Sequence, residues 1–167
     1  MKIIDNILFD TYFDELKKIV YSSDFGWFYH PKTTHSKDDN NFMFCHTLYD
    51  LEINSSYFEK FKTIIHFISN YKKVNKLYRM KFNLYTNQGK KIKHHSHYDY
   101  VDINKKPLKN VNIAIINFTT CNGATIIEDK EILSKSNQMI CFSNDKKHYG
   151  VTQNDEKIRI VLNLAFE

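Results

Sequence analysis

The segment His94-His95-Ser96-His97-Tyr98-Asp99 holds the side chains of this sequence that are best suited to chemistry. Side chains two residues apart on an extended strand point to the same side. His97 and Asp99 can therefore face one point, and so can His95 and His97. Two such ligands and one histidine from a distant strand would form a facial set of three that leaves coordination positions open. That set suits non-haem Fe(II), which needs open positions for a co-substrate and for O₂.

Two residues further along the chain extend this cluster of candidate ligands. His148 follows the apolar segment 139–142 and stands among polar residues, which argues against a role in the core. Arg159 lies within an apolar strand pattern, on the face that it shares with Asn163. A buried arginine is costly unless it is paired, and its planar guanidinium matches a carboxylate with two parallel hydrogen bonds. We therefore expect Arg159 to hold a dianionic ligand, with an ion pair to an acidic residue of the chain as the alternative.

Asn83 and Tyr85 occupy one face of the predicted strand that leads into the histidine segment. Both side chains can donate a hydrogen bond to a bound acid. Taken singly, each is also consistent with an ordinary strand residue, and the histidine segment by itself is consistent with a polar surface turn. The combination of His-x-Asp, a remote histidine and an arginine inside a strand favours a metal site beside an anion site.

Two helices are predicted in the first half of the chain. The first spans about residues 11–22, with Asp10 or Thr11 as its N-cap and an apolar stripe at helical spacing. The second spans about residues 56–74, where Ser56 and Glu59 match the S-x-x-E capping box. Its aromatic and aliphatic residues recur at helical spacing, which is more typical of a buried face than of a ligand site.

After Asn75, short segments rich in β-branched and aromatic residues alternate with turn residues, as expected of strands. Asn122-Gly123 predicts a tight turn. In the last segment, the residues from Ile158 to Phe166 alternate between an apolar face and the face that carries Arg159. The predicted strands are 27–30, 42–48, 77–86, 91–97, 112–118, 124–128, 138–143, 148–152 and 157–166. Helices followed by many short strands predict an α+β fold, a sandwich or barrel that the helices buttress.

Composition narrows the classes of function further. The 167 residues include eight histidines and four glycines, and these glycines are too scattered for a phosphate-binding loop or a dinucleotide fingerprint. The net charge of +5 suits an acidic partner without requiring one. Three cysteines in apolar surroundings, without C-x-x-C spacing, predict reduced core thiols. No apolar run approaches the length that spans a membrane.

The second half of the sequence resembles the Fe(II)/2-oxoglutarate-dependent oxygenases, whose double-stranded β-helix carries a His-x-Asp…His triad followed by a basic residue. The matching segments are 79–85, 97–99, 114–118, 122–125, 137–142, 148–150 and 159–163. The first half, through 4–6 and 24–28, is similar to the N-terminal part of small prolyl-4-hydroxylase-like members from phages and other viruses. The resemblance implies one domain, 1–167, with a helical buttress and flanking strands in 1–75 and a double-stranded β-helix (jelly-roll) core in 76–167.

The resemblance also implies a role for each candidate residue. The catalytic ligands of Fe(II) would be His97, Asp99 and His148. The residues at 2-oxoglutarate would be Arg159, at the distal carboxylate, with Tyr85, Asn83 and Asn163. One departure is that Tyr85 precedes the triad by more residues than in many prolyl hydroxylases. The extra residues include His94 and His95, which we expect to lie outside the metal coordination sphere.

The implied reaction consumes 2-oxoglutarate and O₂, releases succinate and CO₂, and hydroxylates a C–H bond, with peptidyl proline as the first candidate. The polar loops at about 31–41 and 100–110 would act as lids. We expect a peptide or small-molecule substrate, no membrane partner and a cytoplasmic location (the host cytoplasm if the chain is viral). The oligomeric state is left open.

Three alternatives remain. A nucleic-acid demethylase of the same superfamily is one, although the lack of dense basic clusters disfavours it. A cupin-type metal-binding protein would use His95 and His97 after Gly89, but the second half of the cupin pattern is missing around His148. A binding module without catalysis is the third. The loss of a triad residue would indicate it, and all three triad residues are present.

Overall fold

The computed structural model describes residues 1–34 and 40–167, which form two antiparallel β-sheets and three helices. The elements in chain order are β1 (Lys2–Ile4), α1 (Asp10–Val20), β2 (Phe28–His30), β3 (Met43–Asp50), α2 (Phe58–Phe61), α3 (Ile64–Ser69), β4 (Leu77–Thr86), β5 (Asn112–Asn117), β6 (Cys121–Ile127), β7 (Lys130–Ser134), β8 (Gln138–Ser143), β9 (His148–Val151) and β10 (Ile158–Phe166). The larger sheet has the strand order β1-β8-β5-β10-β4-β3-β2, and the smaller has β7-β6-β9. This architecture confirms the predicted α+β fold with a jelly-roll core and helices that buttress it.

Strand β10 shows why the larger sheet has two different faces. Its apolar face packs into a core shared with the helices and is formed by Ile160, Leu162, Leu164 and Phe166, all buried. Its other face turns toward the smaller sheet, where Val161 and Ala165 pack with Ile127 and Ile132. Each fully buried aliphatic side chain contributes about 1.5–3 kcal/mol, so this alternation fixes the register of the strand. The predicted alternation is confirmed, and it places Arg159 and Asn163 between the two sheets.

The helices differ from the prediction at their ends and in their continuity. The N-cap of α1 is Phe9, without a side-chain cap hydrogen bond, so neither Asp10 nor Thr11 caps it. The predicted helix 56–74 is instead two short helices, because backbone bonds of the i to i+3 type, such as Ile65 N–H to Lys62 O, interrupt it. The β-branched run 63–65 favours that break. The capping box at Ser56 is not formed, and Glu59 pairs with Lys62 instead.

The strands match the prediction at most positions, with three corrections. The short strands β1 and β7 were not predicted, because β1 has three residues and β7 begins with two charged ones. Segment 91–97 is not a continuous strand and meets β9 through isolated bridges at Lys93 and His97. Asn122-Gly123 is not a turn and lies within β6 at an irregularity of register, while residues 128–129 make the hairpin turn to β7.

In the described ranges 1–34 and 40–167, no helix is long and apolar enough to cross a membrane. The three cysteines are free thiols, with Cys121 and Cys141 buried and Cys45 partly buried. Burial raises the pKa of both Cys121 and Cys141, as expected for unreactive core thiols.

Candidate active site

The three predicted metal ligands converge at one point between the sheets. Nε2 of His148 lies 3.1 Å from Oδ2 of Asp99, and Nε2 of His97 lies 3.9 Å from Oδ1 of Asp99. One ligand atom from each residue lies within 4.8 Å of the others. Two imidazole nitrogens and one carboxylate oxygen at this spacing form the donor set of a facial triad, which leaves the opposite coordination positions open.

Backbone pairing brings the two histidines together. The N–H of His97 donates to the carbonyl of His148 at 3.0 Å, and the N–H of His148 donates to the carbonyl of His97 at 3.1 Å. This reciprocal pair places the two residues directly opposite each other, with their ring centroids 4.7 Å apart. The imidazole of His148 also packs edge-on against Phe142, at 4.9 Å between ring centroids.

Hydrogen bonds to backbone carbonyls orient both rings. Nδ1 of His97 lies 3.0 Å from the carbonyl oxygen of His95, and Nδ1 of His148 lies 3.5 Å from that of Lys146. A carbonyl oxygen only accepts, so a proton on each Nδ1 would satisfy these contacts and leave the Nε2 lone pairs for a metal. Burial lowers the pKa of His97, which keeps this ring neutral near neutral pH.

Two side chains from the larger sheet hold the Asp99 carboxylate. Nη2 of Arg79 donates to Oδ1 at 3.0 Å, and Nδ2 of Asn163 donates to Oδ2 at 3.0 Å. Arg79 also donates to Oδ1 of Asn163 at 3.2 Å, so the three side chains form a closed ring of hydrogen bonds. Burial alone would raise the pKa of Asp99, but His148, Arg79 and His97 hold that pKa well below its usual 3.8. The carboxylate is therefore ionised and fixed in orientation.

Arg159 is buried, with 2% of its surface exposed, and its charge has no acidic partner in the described part of the chain. Nη2 donates to Oγ1 of Thr125 at 3.0 Å, while the buried Nε has no hydrogen-bond acceptor within residues 1–34 and 40–167. Burial lowers the pKa of this guanidinium, but an arginine stays cationic at neutral pH. A buried cation without a counter-ion indicates a site for an anion.

The other predicted co-substrate residues surround Arg159. The Arg159 guanidinium lies 5.9 Å from the ring centroid of Tyr85. Tyr85 is therefore close to Arg159 despite its longer separation in sequence from the triad. Asn83 is buried, and its Oδ1 has no hydrogen-bond partner among the residues that the structure describes. His94 is also buried, with its ring 5.1 Å from that of Tyr85.

A cavity of about 530 Å³, counted with its opening to solvent, joins these groups. It is lined by the triad, Arg159 and the three other predicted residues, Tyr85, Asn83 and Asn163; we call it the Arg159 cavity. A second cavity of about 400 Å³, the Arg79 cavity, is lined by His30, Arg79 and Tyr98 among others. Both cavities include Lys81, His97 and Asp99, so they meet at the triad.

The structure therefore brings all seven predicted site residues to one cavity, although Asn163 bonds Asp99 rather than Arg159. His95 is exposed and its side chain is not part of the ligand cluster, unlike in the cupin alternative. Two further histidines lie elsewhere: His46 is buried and bonded to Gly26 and Ser55, and His66 is exposed. His35 is outside the described residues.

Of the two predicted lids, only the first reaches the site in the described residues, through Thr33 and Thr34. The cavities include Thr33 from the first loop, whose residues 35–39 lie outside the described ranges. Residues 100–110 line neither cavity.

Five residues at the site were not predicted: Arg79, Lys81, Gly123, Thr125 and Gly150. Arg79 and Lys81 share the face of β4 that carries Asn83, and the same two-residue alternation could have identified them. A Cβ atom on Gly150 would lie 3.1 Å from Nδ1 of His94 and 3.7 Å from Nη1 of Arg159. No sequence signal marks such a close approach between strands.

Comparison with known proteins supports the fold assignment. No family model matches the chain, and no curated protein sequence matches it. A 2OG-Fe(II) oxygenase family oxidoreductase from Burkholderia pseudomallei aligns with a TM-score of 0.72 and 8% identity, over 99% of this chain and 84% of that one. A Pseudomonas putida prolyl-4-hydroxylase aligns at 0.63 and 10%, over 99% and 91%.

A third similar structure was solved with a co-substrate bound. The viral collagen prolyl hydroxylase of Paramecium bursaria Chlorella virus-1, solved as a 2OG complex, aligns with a TM-score of 0.59 and 17% identity, over 98% of this chain and 93% of that one. The predicted resemblance is thus confirmed at the level of the fold, which this chain shares with 2OG-Fe(II) oxygenases.

Proposed function

We propose that this chain is an Fe(II)- and 2-oxoglutarate-dependent dioxygenase that hydroxylates a substrate C–H bond. The observation that carries the proposal is the presence, in one cavity, of the His97–Asp99–His148 triad and the buried cation Arg159 without an acidic partner in residues 1–34 and 40–167. The triad would bind a metal ion, and the Arg159 cation would bind an acid beside it.

The donor atoms of the site fit these two groups. Two imidazole Nε2 lone pairs and a carboxylate oxygen are the ligands that non-haem Fe(II) takes in enzymes that leave positions open for a co-substrate and O₂. The unpaired Nε of Arg159 and the hydroxyl of Tyr85 suit a carboxylate, and Oδ1 of Asn83 is an unpaired buried acceptor in the described structure. Bound iron would supply the oxidative decarboxylation of 2-oxoglutarate to succinate and CO₂, coupled to oxidation of the substrate.

The protein's own contribution is to position these groups. Arg79 and Asn163 fix the Asp99 carboxylate, while the carbonyls of His95 and Lys146 fix the two imidazole rings. Arg159 would anchor the distal carboxylate of 2-oxoglutarate and so set the distance of its other end from the triad. The apolar side chains of Met43, Ile115 and Val161, which also line the cavity, would limit the entry of water.

For the substrate, we propose a peptide, with a prolyl residue as the group that is hydroxylated. Two of the similar structures are prolyl hydroxylases, and one further prolyl hydroxylase, from Trichoplax adhaerens, was solved with a peptide fragment. The Arg79 cavity meets the triad beside Tyr98 and would admit the substrate. Nucleic-acid demethylation is the second candidate, because the Asn83-x-Tyr85 pair resembles an Asn-x-Tyr pair of the nucleic-acid demethylase branch of the superfamily.

The remaining assignments belong to the same proposal. The chain would form one oxygenase domain over residues 1–167, with 1–75 as buttress. Its free cysteines, two of them buried, support a reducing compartment such as the cytoplasm. A viral origin, with the host cytoplasm as the location, is supported by the similarity to the viral prolyl hydroxylase.

The decisive experiment has two steps. Anaerobic titration of Fe(II)-loaded protein with 2-oxoglutarate should produce a visible metal-to-ligand charge-transfer band, whereas tight metal binding without a band would point to a cupin. Exposure to O₂ with peptides, oligonucleotides or free amino acids should then release succinate, and the probe that raises this release identifies the substrate class. No succinate from any mixture, despite formation of the band, would support a binding module instead.

A further inference from the structure

Lys81 occupies the position where the two cavities meet. It lies on β4, paired with Asn163 of β10 on one side and with Thr47 of β3 on the other. Its side chain lines both the Arg159 cavity and the Arg79 cavity, as the metal ligands His97 and Asp99 also do. An ammonium group at this point faces any molecule that approaches the triad from the Arg79 cavity.

Lys81 differs from the other two cations of the site in having no partner. Arg79 is bonded to Asp99 and Asn163, and Arg159 is bonded to Thr125. Within residues 1–34 and 40–167, the Lys81 ammonium makes no hydrogen bond and no ion pair. Burial lowers the pKa of Lys81 and the nearby Arg79 lowers it further, while Asp99 and Asp50 oppose this shift in part.

The charges that line the two cavities have a positive sum, which would remain after a metal ion and 2-oxoglutarate bind. Among residues 1–34 and 40–167, the charged side chains that line the cavities, apart from histidine, are three cations and one carboxylate: Arg79, Lys81, Arg159 and Asp99. A divalent metal would add two positive charges, and 2-oxoglutarate would cancel two. Positive charge therefore remains in a site with a low dielectric constant, where it favours an anionic ligand more strongly than in water.

We infer that Lys81 binds a carboxylate of the primary substrate, so that this substrate is a peptide with an acidic group next to the residue that is oxidised. This inference rests on the proposed function and names its substrate class. Lys81 would then be a residue that determines specificity, since it selects the acidic peptide over its uncharged analogue.

Two considerations select a peptide carboxylate over other anions. Arg159 provides the cation for the distal carboxylate of 2-oxoglutarate, and the metal would balance the proximal one, so the co-substrate does not need Lys81. A nucleic-acid backbone presents repeated phosphates and calls for several free cations. Here Arg79 is already held by Asp99, which leaves a single ammonium at the meeting point. At the edge of the Arg79 cavity, Lys147 lies over the Tyr98 ring at 5.7 Å and adds attraction for an acid.

The test compares two peptides that differ only in charge, acetyl-Glu-Pro-Glu-amide and acetyl-Gln-Pro-Gln-amide. Binding is measured on the full chain loaded with Mn(II) and 2-oxoglutarate, from the paramagnetic broadening of the peptide NMR signals, so that no turnover is needed. We expect the wild-type protein to bind the acidic peptide about tenfold more tightly, as for a hydrogen bond between charged groups. Lys81→Met should bind both peptides equally, and Lys81→Arg should keep the preference. The matched control is Lys18→Met, which changes an exposed lysine of α1 and should behave as wild type.

Each other outcome overturns the inference. Equal affinity for the two peptides in wild type, or no binding of either at millimolar concentration, excludes a carboxylate site. A preference that persists in Lys81→Met assigns the selection to another residue. A weaker affinity for 2-oxoglutarate in Lys81→Met, with peptide preference unchanged, assigns Lys81 to the co-substrate. Displacement of the acidic peptide by single-stranded oligothymidylate, in wild type but not in Lys81→Met, would indicate a nucleic acid.

The proposed function fails separately from this inference. Its failure is the absence of metal binding, or of 2-oxoglutarate decarboxylation by the Fe(II)-loaded wild type, measured without any peptide. A protein that binds metal and decarboxylates 2-oxoglutarate, but ignores the charge of the peptide, would retain the proposed function and lose only the assignment of Lys81.

Discussion

A Cβ atom on Gly123 would lie 2.9 Å from Cδ of Arg159. The same atom would be 3.1 Å from the carbonyl oxygen of Val151 and 3.2 Å from the amide nitrogen of Gln153, so the backbone on that side leaves no room for it. Gly123 therefore sets the position of the Arg159 side chain from across the cavity. Gly123 lies where the pairing of β6 with β7 shifts register, between Cys121 and Ala124.

Gly123→Ala should displace the Arg159 guanidinium while leaving the triad in place. We expect the KM for 2-oxoglutarate to rise about tenfold or more, because small displacements of positioning groups carry large kinetic costs, with Fe(II) affinity unchanged. Steady-state succinate formation and Fe(II) titration measure the two quantities. Gly26→Ala is the matched control, since its Cβ would meet nothing closer than the Phe28 ring at 3.5 Å. An unchanged KM in Gly123→Ala would contradict this account of Arg159.

His148→Ala should remove one nitrogen ligand from the triad. We expect Fe(II) affinity to fall by at least about a hundredfold, more than is lost when only a supporting residue is changed. Decarboxylation of 2-oxoglutarate should be lost with it. Anaerobic Fe(II) titration measures the first effect, and His66→Ala, an exposed histidine on α3, is the control. If His148→Ala retained wild-type affinity for Fe(II), the assignment of the triad would be wrong.

The sequence predicts the site best where its signal is local. The alternation on β10 predicts that Arg159 and Asn163 share a face, and the two-residue spacing of His97 and Asp99 predicts that they face one point. These predictions succeed because side-chain direction along a strand depends only on parity. Turn propensity, in contrast, fails at residues 122–123, where a dipeptide typical of turns lies inside a strand. Its close contact with Arg159 involves residues distant in sequence.

The contacts that hold Asp99 depend on register between strands, which no local pattern encodes. Arg79 reaches Asp99 because β4 pairs with β10 so that Arg79 lies opposite Ala165 and Lys81 lies opposite Asn163. A shift of one residue would turn Arg79 into the helical core. The same register brings Asn163 within hydrogen-bond distance of Asp99, a contact that the sequence does not predict.

Arg159→Met should distinguish the free-energy cost of burying the Arg159 charge from the contribution of that charge to anion binding. Without 2-oxoglutarate, we expect the variant to be as stable as wild type or more stable, because burying a cation without a counter-ion costs free energy that methionine does not. With 2-oxoglutarate and Mn(II), the midpoint of thermal unfolding should rise for wild type and not for the variant. Thermal unfolding with and without the co-substrate measures both effects. A variant that gained the same stabilisation as wild type would show that the anion binds elsewhere.

Arg79→Met and Asn163→Ala should each loosen the Asp99 carboxylate without removing a ligand. We expect Fe(II) affinity to fall about tenfold to a hundredfold in each, as when residues that support metal ligands are changed. Because Arg79 and Asn163 bond the same carboxylate and each other, their effects should not add, and the double variant should differ from the sum by about 0.5 kcal/mol or more. Fe(II) titration of the four proteins measures this coupling, and Lys76→Met, an exposed cation near the start of β4, is the control. Strict additivity would mean that the two side chains act on the metal site independently, and the closed ring of hydrogen bonds around Asp99 would then have no energetic role.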